Sequence, residues 1–186
     1  MRAHARGASV EAELGPLDAK AGSMSINRYT DPDQVRSFVS LTDVDCLAVS
    51  VGTGHGLMKF SQGEAPHLRF DILEKIKNEL PGFPLVLHGA SGVAPEILDK
   101  FNRFGGKIDQ ATGIPEQLLI EATKTNVCKI NIATDLRMTY IATLRESLSN
   151  KANRYEPRLF LAPAKEAIKQ LVRYKLTHIF NSANRI

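Results

Sequence analysis

The chain has 186 residues, 43% apolar and 24% charged, the balance of a globular domain with a hydrophobic core and not of a disordered or fibrous chain. Its 24 Lys and Arg exceed its 20 Asp and Glu by four. These cations are scattered among carboxylates, with no zinc-finger spacing and no aromatic–basic motif, which argues against nucleic acid as partner. No apolar run approaches the roughly 20 residues that cross a bilayer, and there is no secretory leader, so the expectation is a cytoplasmic protein with no membrane partner.

The first predicted strand is Ser9–Leu14, SVEAEL. Glu11 and Glu13 alternate with Ala12 there, so both carboxylates share one face. Asp31-Pro32 supplies an N-cap and a first-turn proline, and Val35, Phe38 and Val39 follow at helical spacing. Cys46–Val51, CLAVSV, is the second strand. Asp71 opens a helix carrying Ile72, Leu73, Ile76 and Leu80, stopped by Pro81-Gly82. Pro84–His88 is the third strand, and Pro95 starts a helix with Ile97, Leu98, Phe101 and Phe104 on one face, ended by Gly105-Gly106.

Residues Gly105–Pro115 read as an inserted loop before a helix over Glu116–Lys124. Val127–Ile132, VCKINI, is the fourth strand. Leu136, Tyr140, Ile141, Leu144 and Leu148 then share the predicted buried face of a helix, and a last helix covers Pro163–Phe180. Cys46 and Cys128 open apolar strands and read as small core residues, not as a disulfide. Strand–helix alternation means a parallel sheet. Four such units are half of an eight-stranded barrel, which leaves two open edges; an open doubly wound sheet is the alternative.

Three of these strands end in polar, glycine-flanked positions: VGTGHGLMK with His55, VLHGASG with His88, and KINIATD with Asn131, Thr134 and Asp135. In parallel α/β folds ligands bind at the carboxyl ends of strands. His55 and His88 are about one β/α unit apart, which places them on adjacent strand tips, within reach of one metal ion. The bland reading is two strand-capping hydrogen bonds. Gly56, Gly89, Ala90 and Gly92 let backbone N–H groups approach an anion, Ser91 adds a hydroxyl, and Lys59 adds a point charge. Thr134 sits at a helix start that favours phosphate. Tight turns alone would also explain the glycines. Glu13 is a further candidate ligand or base.

Taken together, VEAELG, DCLAVSVGTGHGLMKF, PLVLHGASGV, KINIATDLR and YEPRLFLAPA resemble the class II, metal-dependent fructose-bisphosphate aldolases, in the family's order and from about Arg6 onward. The resemblance implies a (β/α)8 TIM-type barrel, with residues 1–186 as the C-terminal part of one barrel domain and no second domain. It implies a catalytic Zn2+ held by His55 and His88 with a third histidine, and Glu13 on a second, displaced metal position. Gly56, Lys59, Gly89, Ala90, Ser91, Asn131, Ile132, Ala133 and Thr134 fall at the phosphosugar site. Arg158, in Glu156-Pro157-Arg158, matches a phosphate-binding arginine often supplied by a neighbouring subunit, hence a dimer or larger assembly.

The reaction so implied is reversible aldol cleavage of fructose 1,6-bisphosphate to dihydroxyacetone phosphate and glyceraldehyde 3-phosphate, with zinc polarising the ketone. Some family features have no match. The third zinc histidine and a catalytic aspartate lie on earlier strands, and the loop PLDAKAGSMSINRY holds only Asp18 where the family has a proton-transferring glutamate. No catalytic acid or base is therefore assigned, and impaired activity of the 186-residue chain is expected. Ala133, where many fructose-specific members carry Asp, also suits the tagatose-bisphosphate branch. The remaining alternatives are a non-catalytic relic that binds phosphate or pairs with full-length subunits, and a metal-free phosphate-binding barrel.

Overall fold

The computed structural model describes residues 2–15, 29–54, 65–111, 113–150 and 153–185. Among them four strands, β1 (Glu11–Leu14), β2 (Cys46–Val49), β3 (Leu85–Leu87) and β4 (Val127–Ile130), form one sheet in the order β1-β2-β3-β4, each pair parallel. A doubly wound sheet reverses its strand order at a switch point. This sheet steps in one direction throughout, as an arc of a barrel does, and the doubly wound alternative is set aside.

Each strand is shorter than its apolar run, for local reasons. Thr30 ends β2: its hydroxyl accepts the Ser50 N–H at 2.7 Å, and its own N–H donates to the Ser50 carbonyl at 2.8 Å. Pro84 has no N–H for the ladder, although its carbonyl accepts from Leu47. Between β3 and β4 the register slips, pairing Leu85 with Val127 but Val86 with Lys129. That irregularity leaves Cys128 off the ladder and exposed, which corrects its reading as a core residue; Cys46 is half-buried, and both thiols are free.

The helices are α1 (Pro32–Thr42), α2 (Phe70–Glu79), α3 (Pro95–Arg103), α4 (Glu116–Ala122), α5 (Thr134–Asn150) and α6 (Arg158–Tyr174). Asp31 caps α1 as expected, its carboxylate accepting from the Asp33 N–H at 3.1 Å with Pro32 in the first turn. The last helix begins five residues before the predicted start, so that Pro163 lies inside it, and it passes into a π-helical turn over Lys175–Ile179. Glu156 and Pro157 open it, their carbonyls accepting from Leu159, Phe160 and Leu161.

The predicted face of α5 is corrected as well. Asp135, Met138, Thr139, Ala142, Thr143 and Ser147 are its buried residues, while Ile141 and Leu148 remain 39% and 48% exposed. Two helices, α3 and α6, pack against α5. Small side chains on most of the buried face permit that close approach; Ile141 and Leu148 are turned outward, while Leu136, Tyr140 and Leu144 are half-buried.

One face of the sheet is the hydrophobic core. Leu47, Val49, Leu85, Leu87 and Val127 join Val35, Ile72, Leu73, Ile76, Leu119 and Ile179, all buried. Alternation sends Glu11, Glu13, Cys46, Ala48 and Val86 to the opposite face, and the register slip at Cys128 adds Lys129 to them. This second face carries the polar groups.

Candidate active site

His88 follows the last residue of β3 and lies between the two β1 carboxylates. Its Nε2 is 2.8 Å from Glu11 Oε1, and its Nδ1 is 3.2 Å from Glu13 Oε2. The glutamates reach it across β2 because the residue paired with Glu13 is Ala48, a fully buried methyl that leaves the path clear. The other Glu11 oxygen meets Lys129 Nζ at 2.7 Å. Lys129 and Glu11 stand on the outermost strands, about 14 Å apart in a flat sheet. Side chains leaving a sheet at right angles meet over that span only when the sheet curls toward them, as a barrel wall does.

Burial pushes the Glu11 carboxyl up, but hydrogen bonds and charge from Lys129 and His88 outweigh it and hold Glu11 below the usual carboxylate range. The Cys46 thiol, 3.7 Å from Glu11 Oε2, is pushed up by burial and by that carboxylate, so it is a poor thiolate.

The His88–Glu13 contact fits a cation. Zinc–nitrogen and zinc–oxygen distances near 2.0–2.2 Å in a tetrahedron put two ligand atoms about 3.3 Å apart. Nδ1 and Oε2 stand at 3.2 Å, and when Nε2 holds the ring hydrogen both are acceptors, which only a proton or a metal ion between them reconciles. Among the described residues no group of three or more His, Cys, Asp or Glu side chains is placed to hold a metal ion. His55, Gly56 and Lys59 lie outside the described residues.

Beside His88 the glycine-rich loop is wedged between neighbouring strand tips. Gly89 has φ +58°, and a Cβ there would lie 2.5 Å from the Gly54 backbone. Ala90 is fully buried and donates its N–H to the Asn131 carbonyl at 3.3 Å; Asn131 in turn donates to Leu87 at 2.8 Å. The buried Ser91 hydroxyl accepts the N–H groups of Ala133 at 2.8 Å and Thr134 at 3.1 Å, capping α5 from another segment. His88, Gly89, Ala90, Ser91, Asn131, Ile132, Ala133 and Thr134 are thus gathered at one end of the sheet, with Glu13 across from His88.

Arg158 is not gathered with them. Its guanidinium is highly exposed and pairs with its own neighbour Glu156 at 3.1 Å. It starts α6, whose far end carries Lys175 beside Asp135 at the beginning of α5. Seventeen helical residues put Arg158 roughly 25 Å from that end.

Sequence reading paired Glu11 with Glu13 on one face but gave Glu11 no task, and it passed over Lys129. Alternation gave no signal for Lys129: two residues after the core residue Val127 it would fall on the core face, and the register slip at Cys128 is what turns it to the polar one. Only the curl of the sheet brings the two together.

Comparison with known proteins bears on this arrangement. A family model described as "Fructose-bisphosphate aldolase class-II" matches residues 1–185. A fructose-bisphosphate aldolase of Treponema pallidum is 41% identical over 98% of the chain and 59% of its own length; one of Giardia intestinalis is 39% identical over 91% and 53%. The crystal structure of the YdjI aldolase from Escherichia coli K12 superposes with a TM-score of 0.62 at 26% identity, covering 98% of this chain and 52% of that one. A Coccidioides immitis structure, titled a putative fructose-1,6-biphosphate aldolase, shares the fold with a TM-score of 0.68 at 20% identity. The chain spans a little over half the length of these relatives, and with a family model matched along nearly all its residues it belongs to the class II fructose-bisphosphate aldolase family.

Proposed function

We propose that this chain forms the C-terminal part of the barrel of a zinc-dependent aldolase acting reversibly on fructose 1,6-bisphosphate. The observation that carries the reading is His88 Nδ1 poised 3.2 Å from Glu13 beside the glycine-rich loop of residues 89–92. His55 and His88 are the residues of this chain that would hold the catalytic metal, with Glu13 on the second, displaced position; the metal when bound would supply Lewis acidity at the ketone oxygen of dihydroxyacetone phosphate.

The chain's own groups bind and orient. Gly56, Gly89 and Ala90 bring backbone close to the phosphate, with Lys59 as a point charge. Ser91, already accepting two N–H groups, keeps its hydroxyl proton for a phosphate oxygen. Asn131 hydrogen-bonds the reacting carbons' oxygens, while Ile132, Ala133 and Thr134 line the start of α5, whose dipole favours the anion. Phosphate contacts remote from the reacting carbons hold them in register. Arg158, far from its own chain's site, serves the site of a neighbouring copy in a dimer or larger assembly.

Titrating the purified 186-residue chain with Zn2+, then with dihydroxyacetone phosphate, tests this. Zinc uptake that is lost in His88→Ala and weakened in Glu13→Gln, with zinc-dependent phosphosugar binding, is the expected result. A chain that takes up neither ligand, or that cleaves fructose 1,6-bisphosphate fully in the presence of a chelator, overturns it.

A further inference from the structure

We propose that Glu11, anchored by Lys129, sets the tautomer of His88: it accepts the Nε2 proton and leaves the Nδ1 lone pair facing Glu13, where a divalent cation binds. This inference rests on the metal reading of His88 and Glu13 given above, and it assigns Glu11 and Lys129 a role which that reading does not.

The chemistry of the atoms makes the assignment. An ionised carboxylate only accepts, and of the two ring contacts the one to Glu11 Oε1, at 2.8 Å, is a hydrogen bond while the one to Glu13 Oε2, at 3.2 Å, is not aligned as one, so a neutral ring places its hydrogen on Nε2. A neutral imidazole has one N–H, and Nδ1 then holds a lone pair toward Glu13 Oε2. Glu11 is not free to swing onto the cation itself, since its second oxygen is fixed by Lys129 Nζ at 2.7 Å and approached by the Cys46 thiol. Both Glu11 oxygens are thus engaged, whereas Glu13 faces only the ring among the contacts described for it. The register separates the two carboxylates further. Glu11 lies opposite Cys46, one pleat back from the strand tip, and Glu13 lies opposite Ala48, nearer the mouth and the more exposed of the two.

A histidine that ligates a metal commonly donates its other N–H to a carboxylate, which fixes ring and tautomer and raises the basicity of the ligating nitrogen. Glu11 stands in that relation to His88. It is a positioning residue: it touches neither substrate nor metal. Lys129 prevents the Glu11 carboxylate from rotating away and offsets the second negative charge beside the ring.

Proton–nitrogen correlation spectra of the histidine-labelled 186-residue chain, recorded at mildly alkaline pH, report which nitrogen bears hydrogen. Calorimetric titration with Zn2+ alone reports the site. The wild-type ring is expected as the Nε2–H form. Glu11→Ala is expected to mix the tautomers and to weaken zinc binding roughly 10–100-fold. Glu11→Gln, whose amide oxygen still accepts, keeps the Nε2–H form and most of the affinity, which separates tautomer control from loss of folding. An Nδ1–H ring in the wild type overturns the proposal, as does a Glu11→Ala chain with unchanged tautomer and unchanged affinity. If the wild-type chain binds no zinc, the metal reading fails, and the tautomer spectra still decide what Glu11 does.

Discussion

Lys175 and Asp135 face each other at 2.9 Å with 3% of either side chain exposed, tying the π-helical turn after α6 to the first turn of α5. The contact at Asp135 Oδ2 is an ion pair without hydrogen-bond alignment, while Oδ1 accepts from the Leu136 N–H at 3.0 Å. Together with the Ser91 cap it holds the start of α5 from two sides. Removing one partner of a buried pair leaves an uncompensated charge, so Lys175→Met should cost about 3–5 kcal/mol in denaturant unfolding. The double variant Lys175→Met with Asp135→Leu should recover most of it. Additive losses in that cycle would show that the two groups do not interact.

Ser91 offers a second check on the same junction. Its hydroxyl accepts two N–H groups of α5, so Ser91→Ala orphans both. The loss should resemble that of an N-cap, about 0.5–2 kcal/mol in urea unfolding, with faster amide exchange at Ala133 and Thr134. Unchanged exchange at those two amides would count against the cap.

Gly89→Ala should act through shape alone. Its φ of +58° is strained for alanine, and the new methyl would press on the Gly54 backbone. A destabilisation on the order of 1–3 kcal/mol is expected, with chemical-shift changes centred on Gly54. A variant of wild-type stability would mean that the two strand tips are not in contact.

Asp45 gives a pH prediction at the other end of the sheet. The Val10 N–H donates to its carboxylate at 2.6 Å and His4 approaches it at 2.9 Å; these two contacts, the backbone one first, hold its carboxyl below the ordinary aspartate value. A carboxyl lowered on folding stabilises above its unfolded value and loses that contribution as pH falls through its lower folded value. The Val10 amide shift should therefore titrate with a midpoint below 3.8. A midpoint at or above 3.8 would show that the contact does not form.

The outward side of α5 yields a fourth test of packing. Ile141 and Leu148 are partly exposed, so Ile141→Glu and Leu148→Glu should each change stability by no more than about 0.5 kcal/mol. Ala142→Glu, on the fully buried side of the same helix, should prevent normal folding. The reverse ranking would restore the face that the apolar spacing suggested.

How much was legible without coordinates follows from the range of the interactions. The α1 cap, the Pro81-Gly82 stop and the existence of each of the four strands depend on residues a few positions apart, and their period and punctuation announce them. Glu11 and Glu13 on one face follow from alternation. On α5, by contrast, Leu136, Tyr140, Ile141, Leu144 and Leu148 formed a convincing apolar stripe, yet Ala142, Thr143 and Ser147 are buried because two neighbouring helices require small side chains there.

The chain's own order of residues determined its class of fold, its strand tips and the identity of the chemical groups placed there, because period, capping and turn chemistry are local. Tertiary structure alone decided that Glu11, on β1, meets both His88 from β3 and Lys129 from β4, that Ser91 caps α5, and that Asp135 is buried against Lys175. Those contacts join residues 40 or more positions apart, through the curl of one sheet and the packing of helices upon it, and no local pattern records how far a sheet curls.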